Sequence, residues 1–164
     1  MLMIFADGAG DLLGLLRRQQ DTVYRVALAR CGNRSDAEDI TQEVFLRYLN
    51  NSPVFENPDH EKAWCIRTAI NASKNLLHSA WLRHTQPLDE QENSLVWNDP
   101  EDKGVYDAVM SLPEAYRTAV YLFYYEGYSV QEVAKMTGSR VSAVTTRLER
   151  ARKKLRELLK EDVL

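Results

Sequence analysis

The chain of 164 residues is long enough for one domain or two small ones, and its 45% hydrophobic and 27% charged residues are an ordinary globular balance. No stretch is apolar enough to cross a bilayer, and the short apolar start lacks the basic leader of a signal peptide, so we expect a soluble cytoplasmic protein. The net charge of −3 is uneven: residues 1–86 are neutral, residues 87–127 carry −7 and residues 128–164 carry +4.

The first half of the chain predicts three long helices, because its apolar residues recur at helical spacing and strand alternation is absent. The first helix covers about residues 11–31 and ends at a Gly-Asn pair, which tolerates a left-handed backbone. Ser35 and Glu38 have the spacing of a capping box and predict the start of the second helix. An Asn-Pro pair opens the third, over about residues 57–81.

A composition change divides the chain after the third helix. Residues 85–103 are polar and acidic and show no helical period over most of their length, which predicts a flexible acidic linker. We therefore predict an all-α protein of two small helical domains, residues 1–84 and residues 104–164.

The second domain contains the strongest local signal, a helix-turn-helix over residues 129–159. Ser129 and Glu132 form a second capping box before a short helix, and a Thr-Gly-Ser turn leads to a longer one. The polar side of the longer helix is small and hydroxylated at first, which suits base edges, and then basic, which suits phosphates. We predict DNA binding here, and the alternative is a helical hairpin with a solvated basic end.

The third helix has a polar face that is unusual for an ordinary surface. It contains an indole, two amides and two cations, which a single-strand site uses for stacking, base edges and phosphates. The face comprises Trp64, Arg67, Thr68, Asn71, Lys74, Asn75 and His78. The alternative is a solvated face with one half-buried tryptophan.

The second helix has a mixed face opposite its apolar stripe. The stripe consists of Ala37, Ile40, Val44 and Tyr48, and the mixed face of Glu38, Asp39, Gln42, Phe45, Leu46 and Leu49. Exposed apolar residues rimmed by carboxylates predict a docking surface for another protein. One alternative is a helix buried on two sides, and another is a divalent-metal site of an enzyme, formed by Asp36, Glu38, Asp39 and Glu43. No second carboxylate cluster at helical spacing supports the metal site.

Four segments resemble the extracytoplasmic-function (ECF, group IV) sigma factors of bacterial RNA polymerase: DAEDITQEVFLRYL, KAWCIRTAINASKNLL, LPEAYRTAVYLFYYEGYSVQEVA and AVTTRLERARKKL. The resemblance covers about residues 10–84 and 104–160. It implies a protein that binds core RNA polymerase and directs promoter-specific transcription initiation without catalysing a reaction. It also implies promoter DNA and an anti-sigma factor as partners, with no cofactor, metal or small-molecule substrate.

On the positions that match, the resemblance implies three interfaces. Core polymerase would bind Asp39, Gln42, Glu43, Phe45 and Leu46. A base flipped from the −10 element would be captured by Trp64, Arg67, Asn71, Lys74 and Asn75. The −35 duplex would be read in the major groove by Arg140, Ser142, Thr145, Thr146, Arg147 and Arg150.

One departure from the family pattern affects the start of the recognition helix. Arg140 stands where a capping residue is usual, so we expect Ser139 to cap the helix one residue early.

The functional alternative is a stand-alone helix-turn-helix regulator whose first domain serves dimerisation or effector binding. Such a regulator should bind duplex DNA by itself, at a two-fold repeated site.

The remaining reactive side chains indicate no chemistry of their own. The cysteines, Cys31 and Cys65, lack metal-site spacing and predict two packed thiols. The three histidines also lack ligand spacing, so we expect surface or capping roles for them. The five tyrosines between residues 116 and 128 predict core and interface packing of the second domain.

Overall fold

The computed structural model describes residues 2–82 and 103–163, and these ranges contain helices and no strand. Seven α-helices occur there: α1 (Leu2–Cys31), α2 (Arg34–Asn51), α3 (Pro58–Leu82), α4 (Lys103–Met110), α5 (Glu114–Val120), α6 (Val130–Thr137) and α7 (Val141–Val163). A π-helical turn, Tyr121–Tyr125, extends α5. The predicted all-α, two-domain fold is confirmed. Residues 85–102 of the predicted linker lie outside the described residues, and Lys103 already belongs to α4.

The first domain is a three-helix unit in which α1, α2 and α3 pack against one another. Its core consists of apolar side chains from all three helices, among them Leu15, Val23, Val26, Ile40, Val44, Ile66 and Ile70. A polar contact also joins α1 to α3, because Arg18 and Gln19 donate to the Glu61 carboxylate at 2.8 and 3.1 Å. The hydrogen bond from Arg18 lowers the pKa of Glu61 although burial opposes that change.

The start of α2 differs from the prediction. Asn33 is the N-cap: its side-chain oxygen accepts from the Asp36 amide at 2.9 Å, and its Nδ2 donates to the Asp36 carboxylate at 2.7 Å. The expected capping box of Ser35 and Glu38 is therefore wrong, and Glu38 instead pairs with Arg34 at 2.9 Å. A carboxamide can accept from the backbone and donate to a carboxylate at the same time, which a serine hydroxyl does less readily.

The second domain packs α4, α5 and α6 around α7. Its core includes Leu122, Val133, Val144, Leu148 and Ala151. The capping box of Ser129 and Glu132 is confirmed, since both of its hydrogen bonds form, at 3.2 and 2.9 Å. The turn between α6 and α7 places Gly138 at φ +66°, a left-handed conformation that glycine adopts without steric cost.

The two domains also contact each other. Helix α5 packs on α1, and α6 packs on α3. The second domain thus lies beside the end of α1 and along one side of α3.

Candidate functional site

The outer face of α2 has the composition expected of a docking surface. Asp39, Gln42 and Glu43 are exposed, and Leu46 and Leu49 keep 53% and 49% of their accessible surface. Apolar side chains of this size gain free energy when a partner covers them. The acidic rim adds a preference for a basic partner.

Phe45 does not belong to this face. It is 8% exposed and packs in the core, so the expectation that it is exposed on this face is wrong. Helix α2 packs against both α1 and α3. Its buried side is therefore wider than a single stripe and includes Phe45 beside Val44. The alternative of a helix buried on two sides therefore holds for Phe45, while Leu46 stays exposed.

A shallow cleft of about 330 Å³ lies between α2 and α3. It is lined by Asp39, Ile40, Glu43, Arg47, Ala72, Asn75 and Leu76. The cleft brings together carboxylates of the predicted docking face and an amide of the predicted −10 face. Glu43 pairs with Arg47 at 3.0 Å, but this solvated ion pair is weak and can exchange partners.

The polar face of α3 presents four of its five predicted DNA-binding residues to solvent. Arg67, Asn71, Lys74 and Asn75 are exposed. Their spacing of three and four residues places them on one side of the helix. The two amides there can form hydrogen bonds with base edges, while the two cations can contact phosphates.

Trp64 belongs to a cluster of rings beside that face. Its ring centroid lies 5.7 Å from that of Phe55 and 6.3 Å from that of Tyr48, and Phe55 in turn packs edge-on against His60 at 5.5 Å. The side chain is half-buried, as the structural alternative expected. Thr68 is buried and donates to the Trp64 carbonyl at 2.7 Å, so it is not part of the exposed face.

Helix α7 presents a hydroxyl face followed by a cation, as predicted. Ser142, Thr145, Thr146 and Arg150 are all exposed. The threonine hydroxyls donate to the carbonyls four residues earlier, at 3.1 and 2.9 Å. Their oxygens keep lone pairs that can accept from base edges.

The N-cap of α7 differs from the expected one, and the expected cap residue instead holds Arg147. The Arg140 carbonyl accepts from the Val144 amide at 3.1 Å, which makes Arg140 the N-cap position. The expected cap by Ser139 is therefore wrong. Its hydroxyl oxygen instead accepts from Arg147 at 2.8 Å, which holds this guanidinium near the turn. Arg147 is half-buried and Arg140 is exposed.

The two cysteines are free, and they join no cluster of metal-ligating side chains among the described residues. Burial raises the pKa of both Cys31 and Cys65 to about 12, which keeps these free thiols protonated and unreactive. No group of three metal-ligating side chains comes together in the part of the chain that the structure describes. Among the described helices, none combines the length and apolarity that crossing a membrane requires.

The tyrosines of the second domain divide into two groups. Tyr121 is buried and donates to Glu126 at 2.6 Å, in agreement with the predicted packing role. Tyr124 and Tyr125 remain about half exposed. Each carries an arginine over its ring, Arg152 on Tyr124 and Arg25 on Tyr125.

A contact between the polar face of α3 and the helix-turn-helix was not expected from the sequence. The Lys74 ammonium on α3 donates to the carbonyl of Thr137, the last residue of α6, at 3.3 Å. Two arginines with little exposure, Arg30 and Arg117, join the domains nearby. The sequence signal for these interdomain contacts was a cation inside an apolar stretch, because a buried cation requires a specific partner.

Two family models match the chain, in the order of its two domains. "Sigma-70 region 2" matches residues 15–83, and "Sigma-70, region 4" matches residues 103–155. The ECF RNA polymerase sigma factor SigE of Mycolicibacterium smegmatis is 30% identical over 155 residues, which are 88% of this chain and 60% of that protein. The RNA polymerase sigma factor SigV of Bacillus subtilis is 29% identical over 145 residues, which are 85% of this chain and 86% of that protein.

Two solved structures share this fold over most of the chain. The sigma factor RpoE of Bartonella quintana, in complex with the anti-sigma factor NepR, superposes with a TM-score of 0.70 at 20% identity. The match covers 94% of this chain and 98% of that one. CnrH, in complex with the cytosolic domain of CnrY, gives a TM-score of 0.62 at 25% identity, over 92% of this chain and 88% of that one.

Proposed function

The chain belongs to the sigma-70 family, and from this membership we propose that it is an ECF sigma factor of group IV. It binds core RNA polymerase and directs it to promoters. The observation that carries this proposal is the order of sigma-70 regions 2 and 4, each with its own exposed face suited to DNA. Residues 1–84 act as region 2, residues 104–164 act as region 4, and residues 85–103 link them.

Region 2 captures the unpaired −10 strand on α3. Extracting a base from the duplex costs a few kcal/mol, so melting requires a site that stabilises the extracted base. Asn71 and Asn75 offer amides for base edges, and Arg67 and Lys74 offer charge to the backbone, beside the ring of Trp64. The protein catalyses no reaction, because binding free energy alone offsets the cost of melting.

Region 4 reads the −35 element as duplex. The first turns of α7 enter the major groove, where the hydroxyls of Ser142, Thr145 and Thr146 meet base edges. Arg140, Arg147 and Arg150 contact phosphates and fix the orientation of the helix.

Core polymerase docks on the outer face of α2. Leu46 supplies the desolvated centre, and Asp39, Gln42 and Glu43 supply a polar and acidic rim for a basic partner. The protein acts in the cytoplasm, where its polymerase and promoters are. An anti-sigma factor regulates it, by analogy with the complex in which RpoE of Bartonella quintana was solved.

Transcription with core polymerase tests the function directly. Core enzyme, with and without this protein, is supplied with fragmented genomic DNA from the source organism, and transcript starts are mapped. We expect discrete new starts that require the protein and share two upstream elements. Duplex binding by the protein alone at a two-fold repeated site, without new starts or co-elution with polymerase, would favour the stand-alone regulator.

The proposed base pocket predicts a specific defect for Asn71→Ala. We expect open-complex formation to fall about tenfold, because the hydrogen bond between the Asn71 side-chain amide and the flipped base is lost. Binding to a closed duplex promoter should change less than about twofold. Permanganate footprinting measures the first quantity and filter binding the second. Asn50→Ala, at an exposed amide on α2, is the matched control, and equal losses in both assays would refute the pocket.

The proposed phosphate contact of region 4 predicts a change in salt dependence for Arg150→Ala. The slope of log K against log salt should decrease in magnitude by about 0.9, the value for one phosphate contact. Titration of the holoenzyme on promoter DNA at several salt concentrations gives the slope. Lys160→Ala, near the far end of α7, removes the same charge as a control. An unaltered slope for Arg150→Ala excludes the contact.

A further inference from the structure

Helix α7 has one acidic side chain in the middle of a basic region. Residues 133–156 contain eight lysines and arginines and a single acid, Glu149. The Glu149 side chain is exposed. A carboxylate in this position repels the phosphates of a bound duplex, so it lowers the affinity for DNA of any sequence. The presence of Glu149 therefore requires a local cause, either in the helix or in the contact with DNA.

The helix itself provides no partner for this carboxylate. Lys153 follows Glu149 by four residues, an order that favours an ion pair along a helix. The same order does produce a pair on α2, where Glu43 and Arg47 lie 3.0 Å apart. In the described part of the chain, the Glu149 side chain forms neither an ion pair nor a hydrogen bond. Its oxygens therefore stay available to a partner outside the protein.

Glu149 lies on the side of α7 that faces away from the core. Ser142, Thr146 and Glu149 follow one another at intervals of four and three residues, so they share one side of the helix. The buried residues Val144 and Ala151 occupy the opposite side. The seven steps from Ser142 to Glu149 span about 10.5 Å of helix, which is comparable with about three base pairs of duplex at about 3.4 Å each. The hydroxyls and the carboxylate can therefore reach neighbouring base pairs.

The exposed groups on this side offer mainly hydrogen-bond acceptors. Thr145 and Thr146 donate their hydroxyl hydrogens to the carbonyls of Val141 and Ser142, at 3.1 and 2.9 Å. Each threonine oxygen keeps lone pairs, and a carboxylate can only accept. Such a surface favours bases that present donors in the major groove, which are the N4 amino group of cytosine and the N6 amino group of adenine.

Arginines lie at the flank of this side and can contact the phosphates. Arg150 is about 100° around the helix from Glu149. Arg147 lies further round, and the Ser139 oxygen accepts from it at 2.8 Å. When a helix lies in the major groove, its central side approaches base edges and its flanks approach the backbone. This arrangement places the carboxylate over bases and the guanidinium groups near phosphates.

The chemistry of the base edges distinguishes cytosine from the other three bases. The amino group of adenine lies beside N7, an acceptor that repels a carboxylate. Guanine presents O6 and N7, and thymine presents O4, so both offer acceptors where Glu149 also has acceptors. Cytosine presents its N4 amino group with no acceptor of its own beside it. A carboxylate at this position therefore selects cytosine.

We propose that Glu149 is a specificity-determining residue of the −35 contact, which accepts from the N4 amino group of a cytosine in the major groove. This inference rests on the proposed function. It adds a base preference that the hydroxyls and arginines alone do not give.

Selection from a promoter library tests the preference. A promoter identified from the mapped transcript starts is randomised over its −35 element, and the duplexes bound by holoenzyme are sequenced. With the parent protein, one position should prefer cytosine about tenfold over each other base. Glu149→Gln should change that preference from cytosine to adenine, because a carboxamide can bond both N6 and N7 of adenine. The other positions should stay as in the parent.

Two controls separate a base contact from an effect of charge. Glu157→Gln removes the same charge from an exposed position about two turns further along α7 and should leave every base preference unchanged. A methyl group on N4 of the selected cytosine replaces the hydrogen that points into the major groove. It should weaken binding of the parent holoenzyme about tenfold and that of Glu149→Ala less than about twofold.

The outcomes distinguish this inference from the proposed function. If Glu149→Gln binds all sequences more tightly and keeps the base preferences of the parent, the carboxylate only repels phosphates and the inference is overturned. A parent holoenzyme that selects a −35 element without the expected cytosine also overturns it, while the sigma-factor function stands. If no promoter-specific starts are found, the proposed function fails and the inference fails with it.

Discussion

Replacing Arg117 with methionine is expected to lower the free energy of unfolding by about 3–5 kcal/mol. The guanidinium donates to four backbone carbonyls, those of Ala29, Arg30, Met110 and Leu112. Methionine has a similar length and fills the space, but it leaves these oxygens without a donor in a site from which water is largely excluded. The cost arises from unsatisfied acceptors and not from a cavity.

Urea unfolding followed by circular dichroism measures this loss, and two variants calibrate it. Arg150→Met makes the same change at an exposed site and should stay within about 0.5 kcal/mol of the parent. Arg117→Lys keeps the charge but cannot reach four carbonyls from one ammonium, so its loss should be intermediate. A loss below about 1 kcal/mol for Arg117→Met would show that the carbonyls find other donors when the arginine is removed.

The helices and their exposed faces could be predicted because the signals are local. A cap followed by a 3.6-residue period fixes where a helix starts and which side is apolar. The box of Ser129 and Glu132, the Asn-Pro start of α3 and the exposed faces of α3 and α7 all follow from residues within one or two turns. These local signals sufficed for the fold class and for most of the candidate DNA-binding residues.

Phe45 and Asn33 show where local reasoning fails. Periodicity assigns a helix one apolar stripe, but α2 has neighbours on two sides, so a residue beside the stripe is also buried. At the start of α2, two residues close together could each serve as the cap. Asn33 takes the position through its reciprocal contact with Asp36, which the spacing of Ser35 and Glu38 does not reveal.

The contacts between the domains were beyond sequence reasoning because they join distant residues. Arg117 and Ala29 are 88 positions apart, and no periodic pattern relates them. What the sequence does contain is a cation inside an apolar stretch, at Arg30 and again at Arg117. A buried cation is rare without specific partners, so such positions indicate an interface even when its other side is unknown.

Substitutions at Leu46 and Phe45 are expected to affect different quantities, polymerase binding for Leu46 and the free energy of unfolding for Phe45. The two variants together test the docking face. Leu46→Asp places a charge in the proposed apolar centre and should weaken core polymerase binding about 30-fold or more. Its free energy of unfolding should change by less than about 1 kcal/mol, because the side chain is 53% exposed. Phe45→Ala should instead lower the free energy of unfolding by about 3–5 kcal/mol, since it removes a buried ring from the core.

Urea unfolding and titration of labelled protein into core polymerase measure both quantities for each variant. Val54→Asp, at an 88% exposed position outside the docking face, controls for an added charge in place of an apolar residue. Phe45→Leu keeps most of the core volume, so it should bind polymerase nearly as the parent does while it remains folded. If Leu46→Asp binds normally and folded Phe45→Leu does not, the polymerase contacts a different part of α2. The carboxylates on its outer face would then have to be explained without a polymerase partner.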